Sequence, residues 1–167
     1  MSALEVMGLL NPKSQSFKPV GGGVTADVTW EDVCGAIATL PSVLQDFAYL
    51  LHNSRLGREK LDFVKAVAVI VLQAVQQSGI KCRLQKLSDL CEAIAHTAVV
   101  RVLNPNLSMT RAERMAAGGI SLSEETYRKR WERFEIMLID HLMSWQAQIE
   151  WSVAEYISAT RRQCLVV

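Results

Sequence analysis

Residues 121–134, SLSEETYRKRWERF, carry the side chains best suited to chemistry with another molecule. Arg128, Lys129 and Arg133 can meet phosphate oxygens, and an arginine fork also fits the acceptor edge of guanine. Ser123 and Thr126 add hydroxyls able to bond phosphates. This is recognition chemistry. Nothing comparable supports catalysis. His52, His96 and His141 are far apart in the chain, and lone histidines on amphipathic helices are usually structural. The GGG run at 21–23 does not sit between a strand and a helix, as a phosphate loop would require. No carboxylate pair stands out from ordinary surface acids, so the chain is not expected to be an enzyme. Cys34, Cys82, Cys91 and Cys164 form no CxxC pair. Their gaps fit no zinc motif, so neither a metal nor another cofactor is expected, and the thiols read as reduced and incidental.

The basic side chains need an element that turns them outward. Taking Tyr127 as the inward direction of a helix and about 100° per residue, Trp131, Phe134, Leu138, Leu142, Trp145 and Ile149 fall near it. The opposite side then carries Glu125, Arg128, Lys129 and Glu132, with Arg133 nearer the edge. Upstream, SMTRAERMAAGG at 108–119 reads as a shorter helix. Ser108 is its expected N-cap, and Ala116 and Ala117 permit a close crossing. Gly118 and Gly119 supply its end. Ser123 caps the next helix, with Glu124 and Glu125 favourable in the first turn. The whole reads as a helix-turn-helix at about 108–134, its second helix able to enter a major groove. The competing account is a solvated face on which Glu132 pairs with Arg128 at i, i+4.

The rest of the chain reads as all-α. Residues 1–28 contain Pro12, Pro19 and GGG and read as a flexible tail; 29–167 read as one helical domain. Thr29 with Asp32 resembles a capping box, and Pro41 breaks the first helix near Thr39 and Leu40. A second helix is expected at roughly 58–77, with Leu61, Val64, Ala68, Val71, Leu72 and Val75 on one side. Val67, Val69 and Ile70 widen that stripe, so its middle should be buried nearly all round. A third helix is expected at roughly 83–103, with Leu84, Leu87, Leu90 or Cys91, Ile94, Ala98 and Val102 inward, stopped by Asn104-Pro105-Asn106. The longest apolar run, 66–72, is far shorter than the ~20 residues that span a bilayer, and no membrane partner is expected. The formal net charge is +1. A nucleic-acid surface must therefore come from local clustering, not from bulk charge.

Two resemblances narrow the class. The stretch Leu122-Ser123, Glu124-Glu125, Thr126-Tyr127, Arg128-Lys129, Arg130-Trp131 resembles the second helix of a sigma region 4-type helix-turn-helix. The turn before it is two residues longer than is usual there. LLNPKSQS at 9–16 and TWEDV at 29–33 resemble the start of the late antiterminator Q proteins of lambdoid phages. The zinc-binding cysteine cluster of one branch of that family is missing here. The resemblance implies a cytoplasmic protein of a bacterial host cell that binds double-stranded DNA beside a late promoter. It implies loading onto paused RNA polymerase with its sigma factor, and suppression of termination at the RNA exit channel. Some of the basic residues outside 108–134, namely Arg55, Arg58, Lys60, Lys65, Lys81, Arg83 and Lys86, would then face polymerase or nascent RNA, with Arg55, Arg58 and Lys60 the chosen candidates; the competing account makes more of them solvated helix ends. A plain repressor or activator explains the helix-turn-helix equally well, and a phage assembly adaptor such as a terminase small subunit is a third possibility.

Overall fold

The computed structural model describes residues 29–52 and 58–164. Among them it has helices and no strand, so the protein is all-α. The 1–28 segment and Arg55 lie outside the described residues.

Helix α1, Trp30–Ala38, opens on the expected capping box. Asp32 N donates to Thr29 Oγ1 at 3.2 Å, and Thr29 N donates to Asp32 Oδ2 at 2.9 Å. It stops one residue before Thr39, and α2 runs Ser42–His52. Pro41 dictates the break, because it lacks an N–H and disfavours helical backbone at the residue before it. Gln45 Nε2 closes the corner by donating to the Leu40 carbonyl at 2.7 Å. Three further helices follow: α3, Arg58–Ser78, α4, Leu87–Leu103, and α5, Arg111–Gly118. The last two are α6, Glu124–Arg130, and α7, Glu132–Cys164.

The described residues divide into two compact units, 29–52 with 145–164, and 58–144. In the first, Val33, Ile37, Leu44, Phe47 and Leu50 are buried together with Ile149 and Val153 of α7. Phe47 and Trp145 meet edge to face at 6.3 Å. Gly35 is required by a close approach, since a Cβ there would lie 2.8 Å from the Tyr156 hydroxyl.

In the second unit, α3 packs on α4. Phe63, Val64, Val67, Val71 and Val75 form its buried face, against Leu90, Cys91, Ile94 and Ala98. The expectation that the middle of α3 is buried all round fails: Val69 is 50% exposed and Leu61 55%. The helix has an apolar stripe and an outer face that also carries apolar residues. Lys60–Ser78 is long and apolar enough, by length and composition, to cross a membrane, although it contains no unbroken run of that length. Helix α4 starts at Leu87, not near 83, and Leu84 is 74% exposed, outside the core. Gly79, at φ 69°, turns the chain out of α3, and the backbone stays irregular until Lys86.

Candidate nucleic-acid interface

Two helices joined by a tight turn make the interface, and the turn is held from three directions. Gly119 takes the left-handed conformation, φ 73° and ψ 31°, which a residue with a Cβ adopts only at a cost. The amide of Gly119 donates to Ala116 O at 3.1 Å and that of Ile120 to Met115 O at 2.9 Å, the Schellman pairing that closes a helix end. Ile120 is buried and anchors the turn to the core. From a distant part of the chain, the Gln85 side chain brackets it: Nε2 donates to Gly119 O at 3.3 Å, and Oε1 accepts from Ser121 N at 3.2 Å. Ser123 then caps α6, as expected, accepting from Thr126 N. The connection Gly119–Ser123 lies between the printed ends of α5 and α6.

The N-cap of α5 is Thr110, not Ser108. Thr110 and Glu113 form a reciprocal capping box, whereas the residue three after Ser108 is Arg111, which has no acceptor to return. The Glu113 carboxyl is held below its ordinary range, first by the Thr110 amide and then by the Thr110 hydroxyl. The close approach of α5 to α4 is made by Gly118. A Cβ at that position would lie 2.7 Å from Thr97 Cγ2 and 3.1 Å from Ala93 O. Ala116 and Ala117, expected at the crossing, are exposed.

An ionic network sets α5 against α6 and α7. Arg111 grips Glu132 with two bonds, Nε to Oε1 at 2.9 Å and Nη2 to Oε2 at 3.1 Å, and reaches Glu124 at 3.3 Å. Those carboxylate bonds, Glu132 first, raise the affinity of Arg111 for its proton against partial desolvation. Arg114 adds a 3.2 Å bond to Glu132, and its Nε lies 3.3 Å from Glu135 Oε1, off hydrogen-bond alignment. Glu135 is wholly buried, and accepts from Arg101 Nη1 at 2.9 Å and from the Tyr127 hydroxyl at 2.7 Å. Burial, then the Glu135 charge, pushes the Tyr127 phenol well above its usual range. The Arg128–Glu132 pair of the competing account does not form. Glu132 turns toward α5 instead, where two partly buried arginines give it several charge-assisted bonds that water screens less than a pair with the exposed Arg128. The helix also breaks at Trp131, with φ −113°, so the expected continuous helix is α6 followed by α7.

The inward stripe is otherwise as read from the sequence. Tyr127, Trp131, Phe134, Leu138, Leu142 and Ile149 are buried, and Trp145 is half-buried. The structure places Arg128, Lys129 and Arg133 on the exposed side. Arg128 makes no ion pair or hydrogen bond among the described residues. The Lys129 ammonium meets Glu125 at 2.6 Å, and the Arg133 guanidinium lies 4.7 Å over the Phe134 ring. Ser123 Oγ donates to Thr126 Oγ1 at 2.8 Å, which leaves the Thr126 proton free to be offered outward.

Sequence reasoning missed Arg130. It is exposed and lines an open cleft of about 660 Å³ with Thr126, Leu122, Lys81, Arg83 and Leu84. Of the basic residues read as polymerase- or RNA-facing, Lys81 and Arg83 therefore stand beside α6. Lys60 lies near the start of α3, where its charge, after burial, helps lower the pKa of His96. Arg58 is the first residue of α3. Among the described residues no group of His, Cys, Asp and Glu is arranged to hold a metal. Cys91 is buried, and burial followed by the nearby Cys82 pushes its thiol to about 11. Comparison of the chain with protein-family models, with curated proteins and with solved structures gives no match.

Proposed function

We propose that this chain is a helix-turn-helix DNA-binding protein of transcription, and within that class a phage late antiterminator. One observation carries the first part. On α6 the acids are engaged, Glu124 with Arg111 and Glu125 with Lys129, while Arg128 and Arg130 are exposed with no carboxylate partner among the described residues. Cations held outward on a short helix, behind a rigidly bracketed turn, suit a helix that presents side chains to a DNA groove. Arg128 is the base reader in this scheme. Arg133 and Thr126 flank it, and Ser123 sets the start of the helix.

The antiterminator assignment rests on the resemblance of residues 9–16 and 29–33 to that family. It requires a second surface that stays with RNA polymerase after the DNA site is left, for which Arg55, Arg58 and Lys60 are the candidates. The test uses a DNA element selected from a random duplex pool with this protein, placed upstream of a terminator. Purified bacterial polymerase with its sigma factor is expected to read through when the protein is added. Charge reversal at Arg55, Arg58 and Lys60 together is expected to leave DNA binding intact and to reduce readthrough. Element binding without readthrough by the parent makes the protein a plain repressor or activator. A ring oligomer with no effect on transcription points to an assembly adaptor.

A further inference from the structure

The arginines and lysines of the second unit differ in whether they are paired, and the unpaired ones include three that share a cleft. Arg101, Arg111 and Arg114 are tied to carboxylates of α6 and α7, and Lys129 to Glu125. Lys81, Arg83 and Arg130 are exposed and take part in no ion pair among the described residues. These three converge on one cleft, and no carboxylate lines it. The cost of gathering like charges is not relieved by any acid there, so the arrangement suits an anion from outside. The Thr126 hydroxyl adds a donor, and Leu84 and Leu122 provide apolar wall. The cleft is open, with room for more than a single phosphate group.

From this geometry we propose that the cleft between residues 79–84 and α6 holds the phosphodiester backbone of duplex DNA beside the groove that α6 enters. The proposal rests on the DNA-binding reading above and adds a site to it. Lys81 and Arg83 are reassigned from polymerase or RNA to the DNA backbone. Duplex DNA is favoured over single-stranded RNA because the cleft offers no exposed aromatic face for an unpaired base. Trp131, its one aromatic lining residue, is only 2% exposed. The Gln85 bracket gives the site its register. The residue that follows the cationic loop is bonded directly to the turn of the helix-turn-helix, so loop and reading helix meet the DNA as one body.

Phosphate contacts are read by salt. Each one neutralised contributes about 0.9 to the slope of log K against log salt on duplex DNA. The probe is a labelled random-sequence 30-base-pair duplex, with a single-stranded RNA of equal length in parallel. The parent is compared with the double variant K81Q/R83Q and with the control variant K65Q. Substituted side chains in both are exposed lysines or arginines, and equal melting temperatures confirm the fold. K81Q/R83Q is expected to lower the duplex slope by about 1–2, and K65Q to change it little. Equal slopes for K81Q/R83Q and the parent, or an equal fall in the control, overturn the cleft assignment while the parent's binding leaves the α6 reading standing. A slope change on RNA but not on the duplex overturns the choice of ligand. A parent that binds no duplex at 50 mM salt overturns both the cleft and the DNA-binding reading.

Discussion

The Tyr127 hydroxyl donates a 2.7 Å hydrogen bond to Oε2 of Glu135, a carboxylate with no solvent exposure, and so joins the inner side of α6 to the first turns of α7. A hydrogen bond to a buried charged group contributes about 1.5–3 kcal/mol, and its loss leaves a carboxylate oxygen unpaired. Tyr127→Phe is expected to destabilise the protein by that amount in urea unfolding. DNA affinity at low temperature, where the fold persists, should change little, because the phenol faces the core.

Arg128→Ala is expected to keep the melting temperature of the parent and to lose about 1–3 kcal/mol of discrimination between a selected DNA element and random duplex. Arg133→Ala should also lose DNA affinity, with a further small fall in stability of ~0.5–1 kcal/mol from the lost stacking on Phe134. Competition binding at one moderate salt concentration measures both. Unchanged discrimination in both variants removes the base-reading role from this face.

Trp131 is both the joint between α6 and α7 and a core residue at 2% exposure, close to Phe134 with ring centroids 6.1 Å apart. Trp131→Ala is expected to cost about 3–5 kcal/mol. A variant that melts with the parent would mean the helix is turned otherwise, and the outward face with it.

Gly118→Ala sets two effects against each other. Alanine is favoured over glycine in a helix by about 1 kcal/mol. Here its Cβ would press on the Ala93 carbonyl and on Thr97, and overpacking of this kind costs about 1–3 kcal/mol. The backbone carbonyl cannot swing aside, so a net loss of stability is expected. A melting temperature above the parent's would show that α5 and α4 slide apart without penalty.

His96 ties stability to pH. Burial, and then the Lys60 charge, lowers its pKa in the folded protein. The unfolded chain, titrating near about 6.5, then binds the proton more readily. Stability is therefore full above that pH and falls as pH drops from it toward the folded value. Denaturant unfolding across pH 5–8 should show that decline, and His96→Gln should flatten it.

Several of these elements were legible in local sequence. The Thr29 box, the Pro41 break, the Ser123 cap and the Tyr127 stripe each depend on residues within a few positions of one another, or on one helical period. The Thr110 box is equally local, a Thr with Glu113 three residues on, yet the expectation fell on Ser108. What stayed hidden depends on contacts across distance. Gln85 meets Gly119 and Ser121, and Arg101 meets Glu135, each across more than thirty positions. Glu135 falls at the edge of the inward stripe, where a carboxylate ordinarily reads as solvent-facing. Arg101 of α4 and Arg114 of α5, together with the Tyr127 hydroxyl, make its burial tolerable. Arg130 was overlooked for a similar reason, because its importance comes from Lys81 and Arg83 across the cleft.

The partition between paired and unpaired cations also governs how the protein would approach a polyanion. With a net charge of +1 the chain has almost no monopole to attract DNA from afar. The acids near α6 are cancelled by neighbouring arginines and Lys129, so the local field at Arg128, Arg130, Lys81 and Arg83 is positive and undiluted. Such a field acts within about 8–10 Å at physiological salt. On the proposed function, encounters with DNA arriving on this side would be captured and turned, and those on other sides released. A nearly neutral molecule would thereby gain fast, salt-sensitive association in one orientation, without the indiscriminate adhesion of a highly basic one.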